Sequence, residues 1–245
     1  MALIEEFDKQ GSWLFRYRSF VPLLLFGVFA MAIWWSADEF LPFDNLWWQS
    51  ACFLVSMAGL GIRIAVIGIV PAGTSGKNRE KQVAEKLNTS GIYSMVRHPL
   101  YLGNFLMWTG AALYTGIFWV ICASVIFFWL VYERIMFTEE SFLRKKFGEA
   151  YIKWSEKTPP FLPSFSASRK SEMDFSVKNV IKRETEPFIN TIFSFVFIDL
   201  LKNYVFHKEV RLDMLWTWLL IMGLIVYVVV RVLRKKTRIL EVENR

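Results

Sequence analysis

The chain has 245 residues, of which 54% are hydrophobic and 17% aromatic, and its formal net charge is +7. This apolar share is above that of an ordinary soluble domain, so the composition predicts an integral membrane protein. The two cysteines fall inside apolar runs and the chain has only two histidines, which argues against a disulfide and against a metal site.

Six apolar segments are long enough to cross a hydrocarbon core of about 30 Å. In chain order they are Ser19–Ala37, Trp47–Val70, Pro99–Thr115, Ile117–Phe137, Phe188–Phe206 and Asp213–Val232. The third segment is short, so it must either cross the membrane with little tilt or be buried among its neighbours. These segments predict an all-α fold, a polytopic membrane bundle of about six transmembrane helices.

Lys and Arg are distributed unequally between the connecting segments. The Asp38–Leu46 loop has no Lys or Arg, whereas the Pro71–His98 and Thr138–Glu186 segments are rich in both. Because cytoplasmic segments are enriched in these residues, both termini and the two long segments are expected in the cytoplasm. The basic residues flank membrane segments, so we expect them to meet anionic lipid rather than nucleic acid.

The longest polar stretch begins with an amphipathic pattern. Apolar side chains recur there at helical spacing, and three basic residues occupy the other side. The apolar positions are Phe142, Leu143, Phe147 and Tyr151. This pattern predicts a helix that lies on the cytoplasmic membrane surface and ends before Thr158-Pro159-Pro160.

Segments three and four are separated only by Tyr114-Thr115-Gly116, so they must be antiparallel neighbours. Such a hairpin brings its two open ends, at His98 and at Thr138, to the same membrane surface. Residues about forty positions apart are thereby expected to meet.

The first open end carries Arg97, His98 and then Pro99, which suits the first turn of a helix. The unpaired N–H groups and the dipole of that helix, with Arg97 and His98, form a small site for a carboxylate or a phosphate. One turn on, Gly103 would let a flat ligand approach the backbone, and Tyr101 could stack or donate a hydrogen bond. The alternative is that Arg97 and His98 are ordinary interface residues.

The second open end carries the adjacent acids Glu139 and Glu140. Neighbouring helical residues differ by about 100°, so one carboxylate can face a ligand while the other pairs with Arg97 or with water. The alternative is a solvated helix end. Arg63, about 10 Å inside the second segment, either holds an acceptor anion or extends to the interface.

Together these segments resemble the isoprenylcysteine carboxyl methyltransferase and phospholipid methyltransferase family. The resemblance covers about residues 87–163, a third of the chain. It is carried by Thr89, Gly91, Tyr93, Arg97-His98-Pro99, Tyr101, Gly103, Glu139-Glu140, Leu143, Phe147-Gly148, Tyr151 and Pro160–Pro163.

The resemblance implies an S-adenosylmethionine-dependent methyltransferase that modifies a lipid or lipid-anchored acceptor at the cytoplasmic face. The acceptor could be an isoprenylcysteine carboxylate, a phospholipid head group or a lipid phosphate. The candidate catalytic residues are Arg97, Glu140 and Arg63. The candidate cofactor-binding residues are Tyr93, His98, Pro99, Tyr101, Gly103 and Glu139.

Three parts of the chain follow from this interpretation. Residues 1–86 hold two transmembrane helices and a cytoplasmic loop, residues 87–163 the methyltransferase core, and residues 164–245 a C-terminal extension with two further spans. The extension either shapes a route for the substrate or pairs subunits into a homo-oligomer, and the sequence leaves both open.

Two rival functions remain at the level of sequence. A membrane sterol-type reductase that uses NADPH also resembles the Arg97–Gly103 segment, but Asn104 and the Glu139-Glu140 pair favour the methyltransferase. A small transporter or scaffold is the non-enzymatic alternative, and neither a broken-helix pair nor an internal repeat supports it.

Overall fold

The computed structural model describes residues 2–36, 45–71 and 84–242. Over these ranges the chain is predominantly α-helical, which confirms the predicted fold class. Most of the expected Asp38–Leu46 loop and much of the Pro71–His98 segment lie outside the described residues. The helices are α1 Leu3–Tyr17, α2 Leu24–Trp35, α3 Leu46–Ile69, α4 Pro99–Tyr114, α5 Phe118–Phe147, α6 Glu149–Ser155, α7 Val177–Lys202 and α8 Met214–Lys236.

Four described helices are long and apolar enough to cross a membrane: α3, α5, α7 with its π-helical continuation to His207, and α8. The pair α1 and α2, bent by 77°, counts as a fifth span only if it is one broken span. Helix α4 has 16 residues, so it is only about 24 Å long. The chain is thus an integral membrane protein, and six crossings stay a prediction.

Helix α1 was not expected from the apolar segments. It is amphipathic and packs against the C-terminal half of α5, where Arg134 Nε donates to Gln10 Oε1 over 2.8 Å. Leu3, Ile4 and Trp13 remain exposed. A basic and acidic helix with an exposed apolar side, bent away from the next helix, is typical of a helix at the membrane interface.

The surface helix expected around residues 142–151 is divided in the structure. Its first part extends α5 without a break to Phe147, and its last part belongs to α6. Gly148 lies between them with φ of 52° and ψ of −126°, a conformation that side-chain-bearing residues avoid. The glycine therefore ends α5 and sets the direction of α6.

Helix α7 begins eleven residues earlier than the predicted fifth span. Ser176 caps its N-terminus by accepting from the Asn179 N–H, and Asn179 Nδ2 donates to the Ile67 carbonyl over 2.7 Å. The Ser176 N–H donates to the Gly68 carbonyl over 2.8 Å. The C-terminal extension is therefore hydrogen-bonded to the end of α3.

The helices enclose two apolar clusters. The larger one joins α2, α3, α4, α7 and α8 around the fully buried Phe29, Phe195 and Trp216. The smaller one lies between α1, α4 and α5 and includes Phe128, which stacks on Tyr132. The second cluster supports the hairpin of α4 and α5 just inside the end that carries the polar candidate residues.

Candidate active site

The N-terminus of α4 is held by the proline segment that closes the family motif. Pro99 is the first helical residue, as predicted. The Arg97 N–H donates to the Pro159 carbonyl over 2.9 Å, and the His98 N–H donates to the Pro160 carbonyl over 3.1 Å. These two bonds fix the backbone from which both basic side chains project.

Glu140 is the residue on which the two open ends of the hairpin meet. Its Oε2 accepts from Arg97 Nη1 over 2.6 Å, and its Oε1 lies 2.8 Å from His98 Nε2. The side chains of Arg97 and Glu140 are 16% and 26% exposed, so water screens this pair only in part. The helical hairpin thus brings together residues more than forty positions apart, as the short turn predicts.

Glu139 approaches the other side of the same imidazole. Its Oε2 lies 3.5 Å from His98 Nδ1, and its side chain is 32% exposed. Burial of His98 lowers its pKa, but the hydrogen bonds and the charges of Glu139 and Glu140 outweigh burial and raise the pKa above its ordinary value. The Tyr101 ring stacks on the imidazole with 5.6 Å between ring centroids.

Helix α6 contributes two aromatic residues that contact this cluster. The turn at Gly148 brings the buried Tyr151 to Arg97, with 3.4 Å between the hydroxyl oxygen and Nη1. Trp154 Nε1 donates to the Tyr93 carbonyl over 3.0 Å. Burial and the Glu139 charge raise the pKa of the Tyr93 phenol, so Tyr93 remains neutral at physiological pH.

Arg63 is placed beside the cluster by a close approach of α3 to α4. A Cβ at Gly103 would lie 2.6 Å from Arg63 Cγ and 2.8 Å from the Gly59 carbonyl oxygen. The missing side chain of Gly103 therefore makes room for α3 and for Arg63. Arg63 Nη1 donates to Asn104 Oδ1 over 2.7 Å.

The charge of Arg63 is neutralised by a residue of the C-terminal extension. Arg63 Nε and Nη2 form a bidentate pair with Glu184, at 2.8 and 2.9 Å, and the Glu184 side chain is only 3% exposed. Sequence reasoning missed Glu184 because the fifth span was expected to begin at Phe188. The capping signal of Ser176, twelve residues before the expected start, could have revealed the longer helix.

The candidate residues offer complementary groups to a zwitterionic ligand. Arg97 Nε is buried and has no hydrogen-bond partner among the described residues, although Nη1 of the same group binds Glu140. An acceptor such as a carboxylate would satisfy it, and Glu139 could receive an ammonium group. Among the described residues, no group of three or more His, Cys, Asp or Glu side chains is arranged to hold a metal ion.

The sequence is similar to a known protein family and to several known proteins. Residues 49–150 match the phospholipid methyltransferase family. The cobalt-zinc-cadmium resistance protein CzcN of Cupriavidus metallidurans is 32% identical over 47% of this chain and 52% of its own length. Protein-S-isoprenylcysteine O-methyltransferase A of Arabidopsis thaliana is 32% identical over 58% of this chain and 76% of its own length.

A second metal-resistance relative shows the same extent of similarity. The nickel-cobalt-cadmium resistance protein NccN of Alcaligenes xylosoxydans is 30% identical over 51% of this chain and 56% of its own length. The chain thus spans about half the length of the two metal-resistance relatives. No solved structure matches the chain.

The fold and the site define an α-helical integral membrane protein with a paired basic and acidic cluster where two helices of a hairpin meet. The chain belongs to the isoprenylcysteine O-methyltransferase and phospholipid methyltransferase family.

Proposed function

We propose that this protein transfers a methyl group from S-adenosylmethionine to a lipid or a lipid-anchored acceptor at the cytoplasmic face of a membrane. One observation carries the proposal: Arg97 and His98 at the N-terminus of α4 meet Glu139 and Glu140 on α5. Membership of the family supports it, because the names of several relatives state a methyltransferase activity.

S-adenosylmethionine supplies an electrophilic methyl group on a sulfonium centre. In our proposal Arg97 binds the carboxylate of the cofactor through Nε, while Glu140 orients the guanidinium through Nη1. Glu139, which is partly exposed, receives the ammonium or ribose hydroxyl groups. His98 is a positioning residue that holds both carboxylates in place.

The remaining candidate residues surround this cluster or act on it indirectly. Pro99 starts the helix whose dipole favours the carboxylate, and Tyr101 stacks on His98. Tyr93, being neutral, presents a hydroxyl group without adding charge. Gly103 acts indirectly, since its missing side chain brings α3 and Arg63 close.

The transfer itself requires positioning more than covalent chemistry by the protein. The acceptor must approach the methyl group in line with the departing sulfur, and exclusion of water strengthens the electrostatic contacts. A carboxylate or phosphate acceptor needs no general base, whereas an amine acceptor must first lose a proton. We propose Arg63 as the acceptor-side residue, oriented by its bidentate pair with Glu184.

The membrane topology remains part of the proposal. The positive-inside rule supports cytoplasmic termini and six crossings. Helix α8 leaves most of its apolar surface exposed, including Leu224, Ile225 and Val229. That surface supports either contact with lipid or pairing of two subunits through the C-terminal extension.

Ligand binding by the purified protein in lipid nanodiscs tests the proposal. We expect saturable binding of S-adenosylmethionine and none of NADPH, and transfer of an isotope-labelled methyl group into an added lipid extract. Arg97→Ala should abolish both signals, while Arg144→Ala, which removes an exposed arginine of α5, should retain them. Binding of NADPH without S-adenosylmethionine would overturn the proposal in favour of the reductase.

A further inference from the structure

A basic pocket of about 730 Å³ lies beside α6, and Ala150, Lys153 and Trp154 of that helix contribute to its lining. Its lining residues include the cationic residues Lys153, Lys157 and Arg169 and the hydroxyl-bearing residues Thr89, Ser166 and Ser168. We propose that this pocket binds the phosphate of an anionic phospholipid head group. The inference does not depend on the methyl transfer proposed above.

Three cationic residues line the pocket, and no acid in the described part of the chain pairs with them. Lys153 and Lys157 lie four residues apart, so they project from the same face of the chain where α6 ends. Arg169 approaches from the following loop, where its N–H donates to Ser94 Oγ over 2.9 Å. No carboxylate is among the described lining residues, and none of the three cations forms an ion pair with a described acid. An anion is therefore the ligand that the pocket favours.

The chain next to the pocket inserts an aromatic side chain between α4 and α5. Thr158 lines the pocket, and three residues later Phe161 packs against Phe105 and Trp129, with ring centroids 5.7 Å apart in both pairs. The chain then returns, and the Ser164 N–H donates to the Met95 carbonyl over 2.9 Å. Because α5 is long and apolar enough to cross a membrane, we infer that the pocket lies near the depth of the lipid head groups.

Two exposed apolar side chains mark where acyl chains would pass. Leu162 is 74% exposed and Phe165 is 76% exposed, and Phe165 directly precedes the pocket-lining Ser166. A soluble phosphate would use the cations and hydroxyl groups but gain nothing from these apolar neighbours. A phospholipid uses both, because its phosphate enters the basic pocket while its chains contact Leu162 and Phe165.

Lipid titration of the full chain in mixed micelles tests the assignment. Phosphatidylglycerol is the probe, phosphatidylcholine is the neutral background, and glycerol 3-phosphate is the soluble phosphate. The triple substitution Lys153→Gln, Lys157→Gln and Arg169→Gln should weaken phosphatidylglycerol binding by about tenfold or more. The matched triple Arg144→Gln, Lys145→Gln and Lys146→Gln removes the same charge from exposed residues outside the pocket and should change binding less than about twofold.

Three results would overturn the assignment. Equal losses in the two triple variants would mean that net surface charge alone attracts lipid. Equal affinity for glycerol 3-phosphate and phosphatidylglycerol would mean that the ligand is a soluble phosphate. Loss of S-adenosylmethionine binding in the pocket variant, with lipid binding unchanged, would assign the pocket to the cofactor. If the triple variant fails to fold, Arg169→Glu alone should still produce the expected loss.

Discussion

Glu140 and Glu139 differ in chemical environment although they are neighbours in sequence. Glu140 accepts from Arg97 and contacts His98 at short distance, whereas Glu139 reaches His98 only at 3.5 Å and is more exposed. The sequence predicts that one carboxylate can face a ligand while the other pairs with Arg97 or with water. It could not say which, because the choice depends on the rotation of α5 about its own axis.

Glu140→Gln should therefore destabilise the protein more than Glu139→Gln. The first substitution weakens two charge-assisted contacts and should lower the free energy of unfolding by about 1–2 kcal/mol. This loss is smaller than for a fully buried pair, because water partly screens the side chains of Arg97 and Glu140. Thermal midpoints of the two variants in nanodiscs provide the comparison. Equal midpoints would contradict the asymmetry.

The stabilising contribution of His98 should depend on pH. The two carboxylates raise the pKa of His98 in the folded protein above its ordinary value of 6.5. Its contribution is therefore complete below the ordinary pKa and is lost as pH rises through the raised, folded-state pKa. Thermal midpoints of the wild type and of His98→Gln should differ most at pH 5–6 and converge at alkaline pH. A constant difference across this range would exclude the ionic contribution.

At the scale of elements, Gly148 decides how α5 passes into α6. Glycine is needed there because of its φ of 52° and not because of a lack of space, since a Cβ added at this position would meet no atom within 4 Å. The amphipathic spacing of the sequence predicts one continuous surface helix across this position. Periodicity records which residues are apolar, but a positive φ is a property of one residue and interrupts the helix without changing that pattern.

Gly148→Ala should destabilise the protein by about 1 kcal/mol or more, because alanine must adopt the unfavourable backbone region. The loss should also displace Tyr151 from Arg97 and weaken S-adenosylmethionine binding. Gly27→Ala is the matched control, since Gly27 lies in α2 with a negative φ and equally open space. Its thermal midpoint should stay level or rise. A similar loss in both variants would show that the turn does not require glycine.

At the scale of the whole molecule, the pair of Arg63 and Glu184 joins the region that matches the family, residues 49–150, to the C-terminal extension. The similarity to the phospholipid methyltransferase family ends at residue 150, yet Glu184 lies buried against a candidate residue of that region. The division into residues 1–86, 87–163 and 164–245 stays a prediction, and the pair of Arg63 and Glu184 joins the first of these parts to the third.

Breaking this pair should be costly because it leaves a buried charge without its partner. Glu184→Gln should lower the free energy of unfolding by about 3 kcal/mol, and Arg63→Gln by a similar amount. The double variant should recover part of the loss, since neither charge is then unpaired. A double-mutant cycle on thermal midpoints measures the coupling, and strictly additive losses would argue against it. The exposed pair of Arg234 and Glu186 is a suitable control and should show little coupling.

By itself, the sequence determined the membrane character, the helical fold, the hairpin and the meeting of Arg97 and His98 with Glu139 and Glu140. These features follow from local periodicity and from the three-residue turn, which constrains its two helices wherever the rest of the chain lies. Only the tertiary structure decided the partner of Arg63, the role of Gly103, the course of α1 and the basic pocket beside α6. Those depend on side chains from distant helices meeting at a particular depth and rotation, which no pattern along one segment records.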